Sequence, residues 1–197
     1  MRSLIITADD SLRGKLRDLT ATQLIRVCAA LRPDLSRAGE PDTATKISLR
    51  SLARRHQQLT TDIADLDTLI NPLVRAINPA LSAAHCVGPE VAGQLLVTAG
   101  DNPHRLRTEA AFAMLCGVAP LPASSGKTHR HRLNRAGDRQ ANCALYRIAL
   151  TRLARDTRTR SYRDRRIKEG LSTTEAIRCI KRYIAREIYA LLTIDRP

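Results

Sequence analysis

The segment Leu49-Arg-Ser-Leu52-Ala-Arg-Arg-His56-Gln-Gln-Leu59-Thr-Thr-Asp-Ile63-Ala-Asp-Leu66-Asp-Thr-Leu-Ile70-Asn-Pro-Leu73-Val-Arg-Ala-Ile77 decides the fold class. Its numbered positions are spaced alternately three and four residues apart, and all but His56 are apolar. That alternation over four repeats is the heptad register of an α-helix with a narrow apolar seam. At 1.5 Å per residue it predicts a helix on the order of 42 Å long. Arg50, Arg54, Arg55, Asp62, Asp65 and Asp67 fall on the outer faces. Two destinations fit the seam: the inside of a helical bundle, or a coiled coil with another helix, of this chain or a second one. His56, the polar occupant of the seam, is placed to set its register. Asn71-Pro72 loosens the helix, with a kink expected at Pro72, and Asn78-Pro79 ends it.

On the N-terminal side, Leu12, Leu16 and Leu19 mark one helical stripe and Leu24, Cys28 and Leu31 a second, ended by Pro33. Leu4 to Thr7 is the single stretch with the look of a short strand. Asp34 to Asp42, with Gly39 and Pro41, reads as a turn or linker. On the C-terminal side, Val87-Gly88-Pro89 opens a helix that closes near Gly100, with proline at the first helical position. Thr108 caps a helix containing Phe112 and Leu115. A further helix is expected from Arg139 to about Asp156, with Leu145, Ile148, Ala149 and Leu153 inward. Ser172-Thr-Thr-Glu175 is a capping box that opens the last helix, striped by Ile177, Ile180, Ile184, Ile188 and Leu191. The expectation is an all-α chain with a long coiled-coil-like arm and then a compact helical domain. It divides into a lead-in (residues 1–42), the coiled-coil helix (43–79) and a C-terminal domain (80–197).

Charge narrows the function. The 197 residues carry a net charge of +14, and residues 127–168 hold fourteen Lys and Arg against three Asp. A polyanion, nucleic acid above all, is the partner such an excess favours. Aromatic residues make up only 3% of the chain, with no Trp, which leaves few platforms for stacking bases. Phosphate contact by arginine forks is the expected mode. No run of about 18 apolar residues is present to span a bilayer, and no signal-peptide pattern opens the chain, so a cytoplasmic protein without a membrane partner is expected. Cys28, Cys86, Cys116, Cys143 and Cys179 are dispersed, with no C-x-x-C pair to suggest zinc or a disulfide framework.

The chemistry concentrates in Gly117-Val-Ala-Pro-Leu-Pro-Ala-Ser-Ser-Gly-Lys-Thr128. Its serines stand in a small-residue loop next to the basic segment, where an activated hydroxyl can attack a phosphodiester. Ser125, with Gly126 behind it, is the candidate nucleophile, and Ser124 the alternative. Ser125-Gly126-Lys127-Thr128 fails as a nucleotide-binding P-loop, because Leu121 stands where a glycine is needed and no apolar strand precedes it. No G-x-S-x-G elbow is present.

Several segments together carry a resemblance: Val87-Gly88-Pro89, Leu95-Leu96, Gly100-Asp101, Leu115-Cys116-Gly117-Val118-Ala119-Pro120, Ser124-Ser125-Gly126 and Arg132-Leu133-Asn134-Arg135-Ala136-Gly137-Asp138-Arg139-Gln140-Ala141-Asn142. Arg158-Thr-Arg160-Ser-Tyr162 and Cys179-Ile-Lys181-Arg182-Tyr183 close the series. From Gln57 to Leu192 the chain resembles the C-terminal half of the bridge-RNA-guided insertion-sequence transposases, the family that includes the Piv-type DNA invertases. The resemblance implies that Ser125 forms a covalent link to DNA. It further implies that Gly88, Gly126, Lys127, Arg130, Arg132, Arg135 and Arg139 contact nucleic acid, and that a structured guide RNA is a partner beside DNA. The coiled coil would join a second copy or a partner transposase.

In that family a RuvC-like domain holds Mg²⁺ through an Asp-Glu-Asp-Asp set. No metal ligand is carried over to this chain, whose acids (Asp9, Asp10, Asp62, Asp65, Asp67) fall outside the pattern, and Mg²⁺ is expected only with that domain. The expectation is therefore a chain truncated before its RuvC-like domain and inactive alone. The alternatives are a non-catalytic nucleic-acid-binding remnant that pairs with intact transposase, and a basic structural protein with no recombination role. The family's hairpin reads Gly-Val-Gly where this chain has Cys86-Val87-Gly88, so cysteine is strained there if the position needs positive φ.

Overall fold

The structure is a computed structural model and describes residues 1–100, 106–123 and 131–193. These are overwhelmingly helical, and the chain is all-α as expected. It divides into two compact units, Met1–Leu66 and Asp67–Pro197.

The first unit contains α1 (Arg2–Ile6), α2 (Asp10–Leu16), α3 (Ala21–Ala29), a 3₁₀ turn (Leu35–Arg37) and the greater part of α4 (Pro41–Ile77). Local capping sets the helix starts. Leu12 N donates to the Asp9 carboxylate at 2.9 Å, and Thr20 and Gln23 form a reciprocal capping box. Ile5, Leu12, Leu16, Leu24 and Cys28 bury against Leu49 and Ala53 of α4. The strand expected at Leu4 to Thr7 is helix up to Ile6, with Thr7 as its C-cap. Its β-branched residues favour a strand, but Ile5 completes a helical core while Ile6 is left exposed.

The linker expected at Asp34 to Asp42 ends earlier than read, since α4 already begins at Pro41 and its 37 residues run to Ile77 through Pro72. The seam has more than one destination. Leu49 is fully buried in the first core, and Ile70 packs with Val74 against the core of the second unit. Leu52, Leu59, Ile63, Leu66, Leu73 and Ile77 remain between 42% and 70% exposed, and His56 is exposed as well. The long helix is thus not the inside of a bundle along most of its seam.

The second unit begins with the end of α4 and α5 (Pro79–Ser82), and continues with α6 (Pro89–Ala99) and α7 (Glu109–Leu115). A two-strand ribbon, β1 (Leu121–Pro122) with β2 (His131–Arg132), precedes α8 (Arg139–Arg155), α9 (Thr157–Lys168) and α10 (Thr173–Thr193). α10 is central, with α7, α8 and α9 packed around it and α6 laid on α8. Phe112, Leu145, Ile148, Ile184 and Ile188 are fully buried at their meeting. The expected caps are present: Thr108 accepts from Ala111 N at 3.1 Å, and the Ser172–Glu175 box is closed in both directions. α9 buries no residue completely and rests on α10 through an edge-on Tyr162–Tyr183 contact, with ring centroids 5.5 Å apart.

The turn before α6 bears out the expected strain. Cys86 has φ 63°, and it is the one positive-φ residue other than glycine among those described. Arg152 holds this turn by donating to the His85 carbonyl at 3.0 Å, while its guanidinium also grips Glu187 of α10. A left-handed conformation costs an L-residue roughly 1–2 kcal/mol. Cys86→Gly is therefore expected to stabilise the chain by about 1 kcal/mol, after its entropic cost in the unfolded state. Chemical denaturation checks this, and a loss of stability would show that the half-buried thiol's packing outweighs the strain.

Candidate nucleic-acid interface and nucleophile segment

The ribbon is the structural surprise of the second unit, because no strand was expected there. Leu121 pairs with Arg132 and Pro122 with His131, antiparallel. In sequence these pairs bracket the segment with the candidate nucleophile. Ser124, Ser125, Gly126, Lys127 and Arg130 lie outside the described residues. The structure does show how the chain on either side of them is held.

On the upstream side, α7 ends at Gly117 in a left-handed turn, φ 65°. Val118 N donates to Ala113 O at 2.9 Å, closing the helix end. On the downstream side, Asn134 is buried and accepts from Ala136 N at 3.0 Å, bending the chain toward α8. The two sides meet backbone to backbone at Gly117 and Gly137. A Cβ on Gly137 would lie 2.2 Å from Gly117 N and 2.4 Å from its Cα. Next in line, Asp138 N donates to Leu115 O at 2.6 Å.

Side chains of α8 and α10 complete this hub. Asp138 caps α8 by accepting from Gln140 N and Ala141 N, and takes a third bond from Thr98 of α6 at 2.9 Å. Burial alone would raise its carboxyl, but these bonds favour the charged form and hold its pKa below the usual range. Asn142 donates to the carbonyls of Cys116 (2.9 Å) and Gly117 (3.2 Å), and its own oxygen accepts from Lys181 at 2.9 Å. Lys181 is only 7% exposed. Its pKa is lowered by burial first and by the nearby Arg178 second. Cys116, beneath the turn, has its thiol pushed up to about 12 by burial and then by Asp138. It stays a neutral thiol and is no rival nucleophile.

The other expected contacts are scattered. Arg132 lies on β2, Arg135 in the bend after it, and Arg139 at the first position of α8, all exposed. Gly88 is the exposed N-cap of α6, preceding Pro89. Among the described residues no three His, Cys, Asp or Glu side chains gather into a metal-binding group. No helix among them is long and apolar enough to cross a membrane.

The described residues thus form a helical unit in which the turn at Gly117 and the bend at Asn134–Gly137 meet, the two places that flank the serine-bearing segment in sequence. In comparison with known proteins, residues 78–164 match the family model described as Transposase IS116/IS110/IS902 family. The chain is 32% identical over 145 residues to the "Insertion element IS110 uncharacterized 43.6 kDa protein" of Streptomyces coelicolor. It is 27% identical over 144 residues to the "Insertion element IS900 uncharacterized 42 kDa protein" of Mycobacterium paratuberculosis. Each match takes in 72% of this chain, but only 35% and 36% of those relatives' lengths. The likeness to the IS116/IS110/IS902 transposase family thus rests on residues 78–164, less than half of the chain.

Proposed function

We propose that this chain supplies the nucleophile half of a DNA transposase, with Ser125 as the attacking residue and Ser124 as the lesser alternative. The observation that carries the reading is the clasp itself. Gly117 and Gly137, tied by Asp138, Asn142 and Lys181, fix both flanks of the segment that bears Ser125. A nucleophile needs its supporting chain held in place so that little alignment is left to the reaction. In the attack the Ser125 Oγ–P bond forms, and the bond from phosphorus to the neighbouring sugar oxygen breaks. The hydroxyl gives up its proton and the leaving sugar oxygen takes one up.

Lys127, Arg130, Arg132, Arg135 and Arg139 would neutralise phosphates along the strand, and Gly88 would offer backbone at the start of α6. Bound Mg²⁺, where a partner domain held it, would supply Lewis-acid stabilisation of charge on the phosphate. The described residues gather no donor set for it, so a RuvC-like domain is its proposed holder. DNA and a structured guide RNA are the proposed nucleic-acid partners, the cytoplasm the proposed compartment, and the exposed α4 seam the proposed contact with a second copy.

The test supplies an intact family enzyme, Mg²⁺ and end-labelled DNA, and measures label trapped covalently on this polypeptide. Ser125→Ala is expected to reduce trapping by on the order of 10³-fold or more, with DNA binding retained. Retained trapping that disappears with Ser124→Ala would move the role to Ser124. Absence of trapping from the unsubstituted chain would leave it a non-catalytic nucleic-acid-binding protein.

A further inference from the structure

Beside the ribbon lies a cleft of about 800 Å³, whose wall joins residues of the serine segment and the basic run to Arg178 and Lys181 of α10, which lie outside both. Gly117–Pro120 and His131–Asn134 form one side, α9 and the turn after it another, and one face of α10 the third. Seven cationic side chains line it against two carboxylates. Four of the cations are partly neutralised in pairs: Arg165 and Arg166 share Glu169, and Arg182 and Arg186 share Glu109 of α7. Glu175 is engaged in the Ser172 capping box. Arg132, Arg178 and Lys181 have no ion-pair partner among the described residues.

Two of these groups are costly as they stand. Arg178 Nε is buried without an acceptor among the described residues, and its Nη1 has a long 3.5 Å contact to the His131 carbonyl. A buried donor without an acceptor gives up its hydration with nothing in return. Lys181 sits nearly out of water on an amide oxygen and 5.8 Å from the centre of the Tyr146 ring, with an arginine as its charged neighbour. Cations gathered in this way are stabilised by an anion placed among them. The aromatic rings argue for which part of a nucleic acid enters. Tyr162 has the Arg165 guanidinium over it at 5.2 Å, Tyr183 has Arg186 at 5.9 Å, and the two rings contact each other. Neither is a bare platform for a base, which favours the sugar-phosphate backbone as the occupant.

We infer that this cleft is a phosphate seat, taking a backbone phosphodiester of the DNA strand between Arg178 of α10 and Arg132 of β2, with Lys181 as the charge beneath it. The inference rests on the transposase reading and deepens it. A strand seated here is held against β2 and against Gly117–Pro120, which flank the Ser125 segment in sequence.

The full chain and a fluorescent duplex DNA test it by anisotropy across a salt series. Arg132→Gln/Arg178→Gln is expected to weaken binding at least tenfold and to lower the salt slope by about 1, the signature of a lost phosphate contact. Arg13→Gln/Arg17→Gln, which removes equal charge from α2 and its end, should change binding less than threefold. Equal losses in the two doubles, with an unchanged slope, would overturn the seat. A second measurement uses the unsubstituted chain alone: inorganic phosphate should raise its melting temperature above that in chloride at matched ionic strength. Identical melting in the two salts would also count against the seat. A chain that gains stability from phosphate but binds no DNA would keep the seat and overturn the transposase reading.

Discussion

Gly137→Ala is expected to lower the melting temperature by roughly 10 °C, a cost on the order of 3 kcal/mol. The cause is steric. The new methyl group would meet Gly117 N at 2.2 Å, Gly117 Cα at 2.4 Å and Leu115 O at 2.9 Å, all of them backbone atoms. A clashing side-chain tip can rotate away, but a backbone pinned on both sides cannot. Gly117 is held by its turn and by Asn142, and Asp138, next to Gly137, is bonded to Leu115 O, Gln140 N, Ala141 N and Thr98. The chain would have to open between Gly117 and Gly137, which would also release β2 and the downstream flank of the Ser125 segment. Covalent trapping of DNA should therefore fall even at temperatures where the variant remains folded. Gly14→Ala is the control: it lies in α2 with nothing within 4 Å, and helix propensity should make it neutral or slightly stabilising. Equal melting temperatures for the two variants would show that the Gly117–Gly137 approach is looser than the geometry states.

The second large effect is expected on association. Residues 54–61 of α4 are exposed all round, and beyond them Ile63, Leu66, Leu69, Leu73 and Ile77 continue an exposed apolar row. A helical stretch of this length without packing is marginal in water, and an uncovered leucine row adds a hydrophobic penalty. Pairing with the same helix of a second copy relieves both. Each fully buried Leu or Ile contributes about 1.5–3 kcal/mol, so Ile63→Glu/Leu66→Glu should remove about 3–6 kcal/mol from each helix's share of the contact. That is a weakening of association of at least about 10²-fold. Sedimentation of the unsubstituted chain at micromolar concentration should show a dimer or larger species, and the variant a monomer with reduced helix content. A monomeric unsubstituted chain would refute self-pairing through the seam.

Legibility divided along the range of the interactions. Thr108, Ser172 with Glu175, and Pro89 after Gly88 act on backbone groups within about one helical turn, so spacing alone located the helix starts they mark. Cys86 was read as strained from its place in a resembling hairpin, and φ 63° bears that out. Leu4 to Thr7 was misread because four β-branched or apolar residues in a row suit a strand as well as a buried helical turn. The ribbon was missed because two-residue strands carry no periodicity. The hub was missed for another reason: Asn134, Asp138, Asn142 and Lys181 reach partners 20 to 40 residues away in the chain. Asn134 to Asn142 stood in the sequence as a recognisable string, and Gly117 and Gly137 as two glycines, but nothing local states that they touch.

By itself the sequence determined the helical class, the seam of α4, the caps, the basic excess and the family resemblance. All of these follow from composition, family pattern or a repeat a few residues long. Tertiary structure alone decided which seam residues are covered, with Leu49 going to one core, Ile70 to another, and those between and beyond left to solvent. It also decided that Arg132, Arg178 and Lys181 share one cleft while Arg135 and Arg139 do not. The physical reason is that periodicity fixes which face of a helix a side chain occupies, whereas burial and charge depend on what that face meets, and folding supplies those neighbours from distant parts of the chain.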